Sequence, residues 1–121
     1  MTVERCRRLQ HSWSRFVLRG DIFRFRANDA SGHEQRGPRF GVVVQSNALR
    51  PLSTVIVAPT SQGALDTHFR PVINIENRQT KVLVEQMTAV DARRLGEVAG
   101  HVTIEEEWAI DEAIALVVGI S

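Results

Sequence analysis

The sequence predicts a mainly β (α+β) domain: a small antiparallel barrel carrying a short helix and a C-terminal helix. Three observations predict it. Short β-branched segments follow one another through turn-rich connectors, as in small all-β barrels. One helix is signalled at both ends, and it falls after the strands, where it would pack on them. A length of 121 residues allows one domain.

Residues 1–18 combine Arg5, Arg7, Arg8 and Arg15 with Leu9, Trp13 and Phe16 at helical spacing, and read as a basic N-terminal extension to a domain over 19–121. Ile22 to Arg26 is the first strand. A polar, Gly-rich connection over 27–38 follows, longer than a tight hairpin needs and therefore a functional candidate. Phe40 to Gln45 is an apolar second strand, buried on both faces. Ser46 to Pro51 is rich in turn residues, and Ser53 to Ala58 is a third strand ended by Pro59. Thr60 to Asp66 is a loop, Pro71 to Ile75 a fourth strand, Asn77-Arg78 a turn, and Thr80 to Val84 a fifth strand. Asp91 to Gly96 reads as one or two helical turns, and Glu97 to Val102 as a short strand. Thr103 and Glu106 form a capping box. Ile110, Ala113, Ile114 and Val117 then make an apolar stripe, and Gly119 suits a left-handed C-terminal cap.

Composition excludes several classes. The apolar fraction of 43% and charged fraction of 24% are those of an ordinary soluble domain. Apolar runs are a few residues long, too short for a membrane helix, and the Arg-rich N-terminus lacks the apolar region of a secretory signal. Cys6 is the only cysteine, which excludes internal disulfides and multi-cysteine zinc sites, so the expected location is the cytoplasm. Net charge is only +1, but residues 1–50 carry ten Arg against four acids, +6, and residues 51–121 carry four Arg and one Lys against ten acids, −5. That asymmetry fits a nucleic acid on the basic side, or charges that intermix once folded.

Arg39 stands where an apolar strand leaves the long loop, a rigid place for a cation to meet a polyanion. Thr60 and Ser61 end the third strand. If strands two and three are neighbours, these hydroxyls share a rim with Arg39, although Pro-Thr-Ser is also ordinary turn chemistry. His33 and Glu34 in the loop, and His68, are acid–base candidates. No histidine pair has zincin spacing and no carboxylates cluster, so no metal or other cofactor is expected. Gly32 and Gly37 lack the Lys-Ser/Thr of a P-loop. Trp108 is expected in the core or an interface, and Phe23 and Phe25 are expected to pack the barrel.

The ordered set Arg19-Gly20-Asp21-Ile22, Gly32 to Arg39, Val42 to Ser46, Thr54 to Ser61, Glu85 to Asp91 with Arg94-Leu95, and Ile110 to Leu116 resembles the MazF/PemK/Kid family of toxin endoribonucleases, over about residues 19–120. The resemblance implies an SH3-like barrel, a homodimer, and a groove for single-stranded RNA. It implies sequence-selective, metal-independent cleavage by 2′-hydroxyl attack to a 2′,3′-cyclic phosphate, so DNA lacking that hydroxyl would not be cut. A cognate antitoxin is the implied protein partner, and DNA enters only indirectly, through the toxin–antitoxin complex. The essential arginine falls on Arg39, the hydroxyl on Ser61 or the adjacent Thr60, and the loop glutamate on Glu34. RNA contacts fall on Arg24, His33, Gln35, Arg36, Gln62, His68 and Gln86. The chain departs from the family pattern at Phe40, where proline usually follows the arginine, and at Ser61, where threonine is usual. Two rivals remain at this point. One is a CcdB-like gyrase poison acting through Trp108; the other is a non-catalytic RNA-binding relative.

Overall fold

A computed structural model describes residues 17–26, 39–49 and 53–120. The expected extension, apart from Val17 and Leu18, lies outside the described residues, as does the loop with His33, Glu34, Gln35 and Arg36. Seven strands form one curled antiparallel sheet: β1 Asp21–Phe25, β2 Phe40–Val43, β3 Thr54–Ser61, β4 Val72–Ile75, β5 Arg78–Val82, β6 Thr88–Asp91 and β7 Leu95–His101. Their order is β4-β5-β3-β2-β1-β7, with β6 pairing β3 on the same edge as β5. One helix, α1 Ile104–Val118, follows.

The sheet carries apolar side chains on both faces, because its central strands are apolar at odd and even positions alike. Ile22, Val42, Val44, Ala58, Ile73 and Val82 pack against Ile110 and Ala113 of α1. Phe23, Val43, Val55, Val57 and Leu95 form a second cluster on the other face, with Phe25 against it. Each fully buried Val, Ile, Leu or Phe among them contributes about 1.5–3 kcal/mol. β2 is thus buried on both faces, and Phe23 and Phe25 pack inside, as expected.

Several boundaries differ from expectation. Pro59 does not end β3, which continues to Ser61. β3 pairs β6 through Val57 and β5 from Thr60, so Pro59 sits where the strand changes partner and a missing amide costs little. Its carbonyl still accepts from the Leu83 amide at 2.8 Å. The turn before β5 is Glu76-Asn77, both at positive φ (54° and 68°), the geometry of a tight hairpin, rather than Asn77-Arg78. β6 escapes the sequence pattern because half of Thr88-Ala89-Val90-Asp91 is exposed. A 3-10 turn, Ala92–Arg94, precedes β7, and Gly96 lies within that strand instead of stopping a helix. Trp108 is 63% exposed and so is not a core residue.

Candidate active site

The site is built from strand register. β1 and β2 pair Phe23 with Gly41 and Arg24 with Phe40, and the carbonyl of Arg39 accepts from the Phe25 amide at 2.9 Å. The Arg39 backbone is therefore fastened to β1 while its side chain is exposed. On the other side of β2 the last rung joins Gly41 to Pro59. Counting two residues outward along each strand brings Arg39 opposite Ser61. Side chains two apart share a face, so both project on the face of Gly41 and Pro59. The two ends share a rim, as the sequence anticipates.

The two hydroxyls separate. Thr60 Oγ1 donates to the Phe40 carbonyl at 3.1 Å, closing β3 onto β2 where the backbone ladder stops. Ser61 points to the opposite face, is half-buried, and makes no side-chain hydrogen bond among the described residues. The wall beside Arg39 is the Phe25 ring. It lies so close to Gly41 that a Cβ there would meet a ring carbon at 2.6 Å, so any larger residue at that position displaces the ring. The Arg94 guanidinium sits 5.8 Å from the centre of the same ring.

The next wall comes from the loop after β3 and the 3-10 turn Val84–Gln86. Arg70 ties them together: its Nη2 donates to Glu85 Oε2 at 2.6 Å, its Nε at 3.0 Å, and its Nη1 to the Leu65 carbonyl at 3.2 Å. The hydrogen bond from Arg70 holds the Glu85 carboxyl below its ordinary value, against a desolvation that would raise it. Gln62 follows Ser61 directly and is exposed. Gln86 is exposed beside Glu85, its Nε2 3.5 Å from Oε2. His68 is exposed and meets Phe69 edge-on, with ring centres 5.5 Å apart.

Of the sequence candidates, the register sets Arg39 and Ser61 at one end of neighbouring strands; Gln62 follows Ser61, and His68 and Gln86 are exposed in the loop after β3 and in the 3-10 turn. Arg24 is not gathered with them. It projects on the other face, 5.1 Å from the Phe40 ring centre and 3.7 Å from Glu76. Glu34, His33, Gln35 and Arg36 lie outside the described residues. Sequence reasoning missed two cations. Arg94 stands out only as part of a motif, and Lys81 reaches the rim only because β5 pairs Ser61 with Lys81. Among the described residues, no three His, Cys, Asp or Glu side chains converge to hold a metal. A permanently charged guanidinium and a hydroxyl at the ends of neighbouring strands can grip the oxygens of a phosphodiester and stabilise charge that develops there.

Residues 18–118 match a family model described as the PemK-like, MazF-like toxin of type II toxin–antitoxin systems. A candidate toxin of Mycobacterium tuberculosis is 32% identical over 106 residues, spanning 86% of this chain and 99% of that protein. The endoribonuclease MazF of Staphylococcus epidermidis is 27% identical over 112 residues, spanning 87% of this chain and 93% of that protein. In shape, the chain is similar to an endoribonuclease solved in complex with its cognate antitoxin from a Mycobacterial species. That pair has a TM-score of 0.72 at 19% identity, covering 88% of this chain and 98% of the other.

Proposed function

Because the chain belongs to the PemK-like, MazF-like toxin family of type II toxin–antitoxin systems, we propose that it is a toxin that cleaves single-stranded RNA, selectively by sequence and without a metal. The observation that carries this reading is the register that brings Arg39 and Ser61 to one rim on one face. The 2′-oxygen of the substrate attacks the adjacent phosphorus, the bond from phosphorus to the 5′-oxygen breaks, and the products are a 2′,3′-cyclic phosphate and a 5′-hydroxyl. Arg39 stays protonated and pairs with the phosphate oxygens as negative charge accumulates on them. Ser61 orients the same phosphate. Glu34 and His33, a few residues before Arg39, are the candidates to move the protons. DNA offers no 2′-hydroxyl, so it is bound and left intact.

The toxin domain spans 19–121 behind a basic extension, works in the cytoplasm as a homodimer, and is silenced by a cognate antitoxin that occupies the RNA groove. The test is incubation of purified protein with single-stranded RNA in EDTA. Cutting by the wild type is expected, with Arg39→Ala slower by about 10²–10³-fold at an unchanged melting temperature. Intact RNA with the wild type, or equal cutting by the variant, overturns the reading. A parallel gyrase supercoiling assay is expected to show no inhibition.

A further inference from the structure

We infer that Lys81 is a second phosphate-binding cation of this site, set across Ser61 from Arg39; the inference rests on the nuclease reading above. Ser61 pairs with Lys81 on β5, and Arg39 stands opposite Ser61 on its other flank, by the count from Gly41 and Pro59. Residues directly opposite in a sheet project on one face, so the row runs cation, hydroxyl, cation. Its two ends are two strand spacings apart, roughly 10 Å, a span that two long side chains close over one phosphodiester.

Lys81 is half-buried, and no ion pair holds it among the described residues. Its neighbours on that face are neutral. Val72 lies opposite on β4, and the next pair is Asn74 with Gln79. Of the acids in the turn before β5 and the 3-10 turn after it, Glu76 pairs with Arg24 and Glu85 with Arg70. Lys81 is also the only lysine in a chain whose other fourteen cations are arginine. A lysine is a compact charge with three rotatable donors, suited to one phosphate oxygen, whereas arginine's planar fork spans two.

During attack the bond between the 2′-oxygen and phosphorus forms and the bond to the 5′-oxygen breaks. The 2′-proton passes to a base in the loop or to solvent, and the 5′-oxygen takes up a proton. Lys81 transfers no proton. It neutralises charge on a non-bridging oxygen that Arg39 does not cover.

The experiment compares wild type, Lys81→Ala, Lys81→Gln and Lys81→Arg. It measures single-turnover cleavage of RNA, and binding of an uncleavable 2′-deoxy oligonucleotide over a salt series. Cleavage by Lys81→Ala and Lys81→Gln is expected to fall about 10–100-fold, with Lys81→Arg recovering most of it. The logarithmic salt slope of binding is expected to become shallower by about 0.7, the loss of one phosphate contact to a single strand. A residue that merely supports β5 would lower the melting temperature and leave that slope unchanged. Wild-type rate and slope in Lys81→Ala overturn the inference while the nuclease reading stands. If the wild type leaves RNA whole, the nuclease reading falls, and the salt slope alone decides whether Lys81 holds phosphate.

Discussion

Thr60 and Ser61 are adjacent in the chain and project on opposite faces of β3. Only the rungs between β2 and β3 reveal which of them looks toward Arg39. The residues of the motif alone leave that open, since either hydroxyl fits the spacing. The register also explains why Lys81 is invisible in the sequence: it is a lone lysine until β5 is laid beside Ser61. Arg39, by contrast, is legible, because a cation between a polar loop and an apolar strand marks its own position. Two variants separate the hydroxyls. Thr60→Val removes the donor to the Phe40 carbonyl and is expected to cost about 0.5–1.5 kcal/mol in urea unfolding, with cleavage within a few-fold of wild type. Ser61→Ala is expected to leave unfolding unchanged and slow cleavage at least tenfold, in line with the loss of an oriented polar contact to the phosphate. The reverse pattern would transfer the catalytic hydroxyl to Thr60.

α1 is the element most completely announced by its residues. Thr103 Oγ1 accepts from the Glu106 amide at 3.1 Å, Glu106 Oε1 accepts from the Thr103 amide at 2.9 Å, and Gly119 closes the helix at φ 80°. Local chemistry decides these features, so local sequence displays them. What it cannot display is the other oxygen of Glu106, which accepts from the Asn74 amide at 3.0 Å and ties β4 to the helix start. Glu106→Ala is therefore expected to cost about 1–2 kcal/mol, more than a capping residue alone, by thermal unfolding. Equal costs for Glu106→Ala and Glu106→Gln would argue against it, since the amide keeps one of the two acceptor oxygens. The join between Arg70 and Glu85 is likewise non-local. Its carboxyl titrates below the ordinary 4.5 because the guanidinium favours the ionised form. A lowered folded pKa gives stability that is fully present above 4.5 and lost as pH falls through the lowered value. Wild type is expected to lose stability below about pH 4.5 more steeply than Glu85→Gln, by an amount of order 1 kcal/mol because the pair is partly solvated. Superimposable acid-unfolding curves would show that the loop and the 3-10 turn are not held this way.

The charge asymmetry of the chain, +6 in its first fifty residues and −5 in the rest, is bridged by ion pairs among the described residues. Arg19 reaches Glu107 at 3.1 Å and Asp111 at 2.8 Å, and Arg24 approaches Glu76 at 3.7 Å, each pairing a cation of the first segment with acids of the second. A sequence records how many charges a segment holds, while long-range pairing decides which remain available to a ligand. RNA affinity should then come from a few cations at one rim rather than from a broad basic surface. For about three phosphate contacts the slope of log K against log salt is expected near −2, at about 0.7 per phosphate on a single strand. Arg19 gives the sharpest check. It lies before β1, and the residues out to Phe25, whose amide holds the Arg39 carbonyl, extend about 20 Å as a strand. Its Nε also donates to the carbonyl of Val44, just after β2, at 3.0 Å, which makes it a brace between the end of that strand and α1. Arg19→Ala is expected to lower the melting temperature by several degrees while cleavage and the salt slope stay at wild-type values. A shallower slope in that variant would mean that RNA runs over the Arg19 end of the sheet, and that the basic segment acts as one extended surface after all.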